Sequence, residues 1–290
     1  MFEKVNPQHV DKICDRIGGA IVDLGYAKEE RPKIAGECLL GHGNCHIIIE
    51  TSVNYEKGEI EDIVHRIAGN DVRVDLKIVP QDKHLSDNQS VDIKCGDNGI
   101  FKGVKVSEEE KKLTSIVKTL YDKYPYDGKF IYDEDTDTLI ACQSNVDSNE
   151  LLKDLHLTGI KNIKVNPLGD WTGGIDVDTG ACNRKLGSDM GRAVTGGGLH
   201  FKDISKADVA INVFLHMITN RGMFRRCSPE GICLCAIGDD KVTLKSKYKT
   251  EFGEGYRETE FTYKEITDMA LEYIKELGGF EKMAEWGLIR

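Results

Sequence analysis

Long uncharged runs are missing from this 290-residue chain, and none approaches the length of a membrane span. The opening stretch, MFEKVNPQHVDKI, carries no apolar core of the kind a secretory signal needs. Positive charge is in short supply: 39 Lys and Arg stand against 49 Asp and Glu, for a net charge of −10. That balance excludes a general nucleic-acid binder, which requires a broad basic face. A small anion needs only a local patch. The nine cysteines are odd in number and are not spaced as a disulfide framework, so reduced thiols and a cytoplasmic setting are expected. Walker A, Gly-x-Ser-x-Gly and two-His metalloprotease motifs are absent, and so are low-complexity segments.

Against this acidic background one stretch stands out, NRKLGSDMGRAVTGGGLHFKDISKAD, residues 183–208. Arg184, Lys185, Arg192, Lys202 and Lys206 surround Gly196-Gly197-Gly198, and the stretch runs into a helical pattern. Glycine backbone approaches phosphate closely, and a helix N-terminus offers it free N–H groups. A bound polyanion is one reading, and a basic surface loop is the other.

The predicted elements recur in the order helix, strand, strand, helix, strand. Val10, Ile13, Ile17, Ile21 and Leu24 fall at helical spacing, with Gly25 as a stop. Strands follow at Ile34–Leu40 and Cys45–Val53, a helix through Ile60–Ile67, and a half-buried strand at Val72–Val79. The second round has a helix over 108–123, strands at Phe130–Tyr132 and Thr138–Gln143, a helix at Asn149–Leu155 and a strand at Ile160–Val165. The third opens with Ser205 as N-cap, continues with strands at Gly231–Ile237 and Val242–Tyr248, and ends with helices at Tyr263–Leu277 and Phe280–Trp286. The fold class expected is α+β, with three similar repeats of helices packed on mixed β-sheets. The repeats expected are residues 1–106, a shortened 107–169, and 170–290 with the polyphosphate loop. The long irregular stretches, Pro80–Gly99 and Asn166–Thr195, are where function is expected.

Several residues could carry chemistry. His9, Asp11 and Lys12 share the first turn of one helix, and Lys206 and Asp208 that of another. A carboxylate there favours the helix in any case, and two of them beside phosphate also suit Mg²⁺. Glu37 and Glu50 interrupt apolar strands, where they either face solvent or serve a site. Asp97 and Asp127 lie in turns, CGDNG and DGK, and Lys129 enters a strand. Trp171, in NPLGDW, could stack on a base or join the core. Cys38, His42, Cys45 and His46 offer zinc-ligand chemistry, but GHGN reads as a turn between two strands. Cys233 and Cys235 alternate, as residues on one face of a strand do.

In order, these segments resemble the S-adenosylmethionine synthetases (methionine adenosyltransferases). HVDKICDRIGGAIVD is similar to the first-helix motif that HPDK opens. IAGECLL resembles the ACET strand, IIIET the Gly-Glu-Ile strand and CGDNGIFKG the GAGDQG turn. NPLGDW, DTGACNRK, GGG and KDISKAD follow the order of NPxGRF, DxGLTGRK, GGGAFSGKD and SKVD. The resemblance covers most of the chain and agrees with a three-part fold.

What the resemblance implies is a transferase of one-carbon metabolism acting on ATP and L-methionine. The methionine sulfur attacks C5′ of ATP, and the expelled tripolyphosphate is cleaved to pyrophosphate and phosphate. By motif, His9, Lys129, Arg184, Lys185, Lys202 and Lys206 contact the polyphosphate. Asp11 and Asp208 hold Mg²⁺, two ions being implied, and Glu37 helps to bind K⁺. Glu50, Asp97, Asp127, Asp178, Trp171 and Ile237 contact methionine or the nucleoside. A homodimer with sites at its interface is implied, with a tetramer open. The departures are a shorter chain, Val10 for the motif proline, and Thr195 for the His before the glycines. Pro80–Gly99 is also too short for the family's lid, so an open site is expected, and either Gln81 or Gln89 is the methionine-contacting Gln. Two other readings stand beside this one, a metal-dependent triphosphate hydrolase and a non-catalytic nucleotide-binding subunit.

Overall fold

A short strand, β1 (Phe2–Val5), leads into α1 (Val10–Lys28), the longest helix of a computed structural model that describes residues 1–89, 92–221, 230–250 and 253–290. His9 caps α1, its Nδ1 accepting the Asp11 N–H at 3.2 Å. The helix does not stop at Gly25 but continues one turn further, and the Glu29 N–H donates to the Gly25 carbonyl. Gly25 is a packing residue: a Cβ there would lie 2.4 Å from Ile34 Cδ1 and 2.5 Å from the Tyr55 hydroxyl. Beyond it come β2 (Ile34–Gly41), β3 (Asn44–Thr51), α2 (Lys57–Ala68), β4 (Arg73–Pro80), α3 (Lys83–Asn88) and β5 (Gly99–Val104). The middle of the chain forms α4 (Glu108–Lys123), β6 (Gly128–Asp133), β7 (Thr138–Gln143), α5 (Ser148–His156) and β8 (Asn162–Val165). Then follow β9 (Thr179–Ala181), α6 (Leu186–Met190), α7 (Ala207–Asn220), β10 (Glu230–Cys235), β11 (Lys241–Thr250), β12 (Gly253–Thr262), α8 (Tyr263–Glu276) and α9 (Phe280–Trp286).

The expected class is observed: helices pack on three four-stranded sheets, ordered β4-β3-β2-β9, β1-β6-β7-β8 and β12-β11-β10-β5. Two sheets are mixed, through the parallel pairs β3–β4 and β7–β8, and the described pairs of the third are antiparallel. The sheets interleave along the chain. β1 joins the strands of residues 128–165, β5 those of 230–262, and β9 those of 34–80.

Burial follows the period of each element. Cys38, Leu40, Cys45, Ile47 and Ile49 face inward from β2 and β3, in one core with Ile13, Ile17 and Ile21 of α1 and Ile60 and Val64 of α2. α7 is apolar nearly all round, which suits a helix covered on every side; Val209, Ile211, Val213 and Leu215 are fully buried. Its N-cap is Lys206, not Ser205, whose carbonyl accepts from the Gly96 N–H and the Tyr263 hydroxyl. A second cluster around Phe130, Leu139, Leu113, Val117, Leu151 and Leu155 closes on Trp286 and Ile289. Among the described residues no helix is long and apolar enough to cross a membrane.

Candidate functional site

Two of the sequence-selected carboxylates sit at helix starts, and each meets basic residues of the 183–208 stretch. At α1, Asp11 is 2 % exposed. Its Oδ1 accepts the Ala181 N–H at 2.9 Å, its Oδ2 lies 2.9 Å from Lys185 Nζ, and Arg184 reaches within 3.7 Å. Burial raises the Asp11 carboxyl, but Lys185 and the Ala181 N–H outweigh it and hold the group below the ordinary range. His9 is pushed down to about 4, first by burial and then by Lys185 and Lys129, against the opposing pull of Asp11. At neutral pH it is an uncharged imidazole.

At α7, Asp208 Oδ2 accepts from Lys202 Nζ at 2.6 Å and from the Gly198 N–H at 3.1 Å. The glycine loop closes over this carboxylate. A Cβ on Gly197, at φ +66°, would lie 2.1 Å from Asp208 Oδ1, so the contact and the left-handed backbone both require glycine. Lys206 is 8 % exposed and has no ion-pair partner among the described residues. Partial burial raises the Glu37 carboxyl, and nearby Lys202 opposes the rise.

Asn183 joins the two centres. It stands next to Arg184 in a left-handed conformation, φ 63°. Its side chain accepts the His200 N–H at 2.8 Å and donates to the His200 carbonyl at 3.2 Å, while its N–H donates to Asp15. It thereby ties the Arg184-Lys185 turn to the end of the glycine loop. Nothing in the sequence pattern singled it out; its flanking basic pair drew the attention instead.

Beneath this lies a polar cluster that was also missed. Lys12 does not face the cradle with Asp11 but is 1 % exposed and turned into the core. Its Nζ lies 2.7 Å from Asp189, 3.1 Å from Asp15 and 3.4 Å from His200 Nε2. Asp15, Asp189 and His200 have metal-ligand spacing, but the Lys12 ammonium already stands among them. His200 Nε2 and Asp189 are 2.8 Å apart. The expected signal was faint because Lys12 and Asp15 share one helix, while Asp189 and His200 come from elsewhere.

The remaining selected residues are scattered around these centres. Lys129 pairs with Glu3 at 2.9 Å. Asp178 is exposed, and its Oδ1 accepts the Thr179 N–H. Glu37 and Glu50 stand on the outward face of their sheet with Leu39 and Ile48, which are 50 % and 52 % exposed. Trp171 Nε1 donates to Asn166 at 3.1 Å, and its ring borders an open recess of about 330 Å³ with Asn145, Asp147 and Asp170. Asp97 and Ile237 occupy a third place: the Ile237 N–H donates to Asn98 Oδ1 at 2.9 Å. Gln89 closes its own loop through two bonds to Lys94, whereas the Gln81 Oε1 is buried without a hydrogen-bond partner. Arg192 donates its backbone N–H to Glu110, away from the cradle. The four possible zinc ligands diverge: Cys38 and Cys45 point into the core, while His46 faces outward to Asp75.

Asp127 is 7 % exposed, and its carboxyl is pushed up to about 6, first by burial and then by the charge of Asp178, with the Gly174 N–H opposing. An aspartate in the unfolded chain loses its proton at about 4. Between those values the folded protein holds the extra proton, so stability falls as pH rises through the window. Asp127→Asn is expected to melt at higher temperature than the parent at pH 7, with the gap closing as the pH approaches 4. Melting curves across this range check it, and an Asn variant that is less stable at pH 7 would refute the assignment.

No family model matches the chain. It is 26 % identical over 266 residues to the S-adenosylmethionine synthase of Mesoplasma florum, covering 71 % of this chain and 70 % of that protein. It is 26 % identical over 267 residues to the S-adenosylmethionine synthase of Mycoplasma mycoides subsp. mycoides, covering 71 % and 68 %. The fold matches an unusual S-adenosylmethionine synthetase from Campylobacter jejuni with a TM-score of 0.73 at 16 % identity, over 99 % of this chain and 93 % of that one.

Proposed function

We propose, from the chain's distant homology to the S-adenosylmethionine synthases, that it makes S-adenosylmethionine from ATP and L-methionine. The observation that carries the reading is Lys206, a lysine only 8 % exposed at a helix start beside the glycine loop, with no salt-bridge partner among the described residues. Such a group calls for an anion. Lys202, Lys185 and Arg184 supply further cations on the same stretch, and a triphosphate takes up all of them.

The methionine sulfur is a neutral nucleophile with no proton to lose, so no general base is needed. Catalysis then rests on aligning sulfur, C5′ and the leaving oxygen, and on stabilising the charge that develops on the triphosphate. Lys202, Lys206, Arg184 and Lys185 do the second, and His9 and Lys129 contribute from the α1 side. His9, uncharged in the free protein, serves as a hydrogen-bond donor. Trp171 offers its ring to the adenine from the open recess, with Ile237 as an apolar contact. Asp127, Asp178, Asp97 and Glu50 orient methionine and the ribose.

Asp11 and Asp208 fit Mg²⁺. Each is a carboxylate beside the cradle, and Asp208 Oδ1 lies in the space that a Cβ on Gly197 would fill. Held by these two carboxylates, Mg²⁺ would supply positive charge against the phosphates. Glu37, near Lys202, is proposed to help bind K⁺. The half-apolar outward face with Glu37, Leu39, Ile48 and Glu50 is proposed to meet a second copy of the chain, which would bring the sites to a dimer interface. The division at residues 106 and 169 is proposed on the sequence repeat, and a cytoplasmic location on the family.

Incubation of the folded protein with ATP, L-methionine, Mg²⁺ and K⁺ is expected to yield the sulfonium product by mass spectrometry. Methionine-independent phosphate release without that product would favour a triphosphate hydrolase instead. Tight ATP binding with no turnover would favour a non-catalytic subunit.

A further inference from the structure

Two thiols far apart in sequence lie in close contact, one of them next to Gly96, whose N–H donates to the carbonyl of Ser205. Cys95 Sγ and Cys235 Sγ are 3.0 Å apart, closer than the 3.6 Å between Cys38 and Cys45. Cys95 precedes the Gly96-Asp97-Asn98-Gly99 turn, and Cys235 is the last residue of β10. The backbone holds them in place: the Cys95 N–H donates to the Asp239 carbonyl at 2.9 Å, and the Gly238 N–H donates to the Cys95 carbonyl at 2.8 Å. The Ile237 bond to Asn98 adds a third tie between the same two turns. A disulfide requires sulfurs about 2 Å apart, so closure asks for a displacement of about 1 Å and small side-chain rotations. Cys38 and Cys45 lack such a tie between loops; they lie across a continuous strand pair deep in the main core.

We propose that Cys95 and Cys235 are a reversible oxidation site for a hydroperoxide, forming a disulfide that staples the 95–99 turn to the 235–239 turn. One thiolate of the pair takes the distal oxygen of the hydroperoxide, breaking its O–O bond and releasing an alcohol, or water from hydrogen peroxide itself. The other sulfur then displaces the hydroxyl from that sulfenic acid, and the hydroxyl leaves as water with the second thiol's proton. Two thiols and one hydroperoxide thus give one disulfide, one alcohol and one water. Cys95 is 0 % and Cys235 4 % exposed, so the oxidant enters through a local opening of the two turns. A dithiol reductant reverses the bond by exchange.

The site stands independently of the substrate reading, because its readouts are a mapped cross-link and backbone exchange rather than turnover. The full chain, treated with hydrogen peroxide and then alkylated, is digested without reduction. The expected result is a peptide pair joined through Cys95 and Cys235, lighter by two hydrogen masses and lost on adding a dithiol, while circular dichroism stays native. Amide exchange in 95–99 and 235–239 is expected to slow in the oxidised protein. Of Cys95→Ser and Cys235→Ser, the variant that keeps the attacking sulfur is expected to leave a sulfenic acid on it, trapped by dimedone. Cross-links made only through other cysteines, or oxidation that begins only once native dichroism is lost, would overturn the proposal.

Discussion

Replacing Lys206 with alanine is expected to lower S-adenosylmethionine formation on the order of 10²–10³-fold, while the melting temperature hardly moves. The two halves of that expectation share one cause. Lys206 is 8 % exposed, and among the described residues it makes no salt bridge, its charge reaching buried Asp203 only at longer range. Its removal therefore breaks no direct ion pair. Lys202 is different, because Asp208 already holds it at 2.6 Å. What Lys206 loses on substitution is its contact with the leaving triphosphate, where charge grows in the transition state. Steady-state rates at saturating ATP and methionine, run beside thermal melts, check both halves. A parent-like rate from Lys206→Ala would remove this residue from the site, and a collapsed melt would show that its role is structural.

Asp189→Ala is expected to do the reverse, with a loss of about 3–5 kcal/mol in folding stability. Burial raises the Asp189 carboxyl, but Lys12 and His200 outweigh it, so that it sits well below the ordinary range. Lys12, 1 % exposed, is held charged by Asp189 and Asp15 against its own burial. Alanine leaves that ammonium with one carboxylate and leaves His200 without its 2.8 Å partner. Breaking one side of a buried charge cluster exposes the full desolvation cost of the other. Urea titration reads the change directly as a shift in midpoint. A loss under about 1 kcal/mol, the range of an exposed pair, would mean that the cluster is solvated in solution.

The contrast between Lys206 and Lys12 shows what a sequence can and cannot express. Both are lysines at a helix start close to an aspartate, in KAD and DK, and local pattern treats them alike. Only the packing of α1 against the 189–200 segment decides that Lys12 turns inward. Elements with a clear apolar period were legible to within a few residues: α4 at 108–123 and β7 at 138–143 match their expected limits. β1 and β9, at four and three residues, are too short to show a period. β12 was missed because GEGYRETEFT has no apolar face; β11 and β12 are linked by Lys241–Glu260, Lys245–Glu258 and Lys247–Glu254 pairs instead. In the candidate site, motif order drew attention to Asp11, Lys185, Lys202 and Asp208, which the fold brings together in two pairs; Asn183, which ties their loops, and Asp189 and His200, which hold Lys12, carried no such signal. Their partners lie far along the chain, and no local rule ranks them.

The packing of α1 also bears on how a ribosome delivers this protein. Asp23 accepts the N–H groups of Phe280 and Glu281, 257 and 258 residues later. Lys4 Nζ donates to the carbonyls of Trp286 and Ile289 at 2.7 Å each. The packing around α1 thus stays unfinished until residues 280–289 have been made, and residue-by-residue folding from the start cannot complete it. At about 5–20 residues per second, that packing is incomplete for many seconds during synthesis, a window in which a nascent-chain chaperone has something to hold.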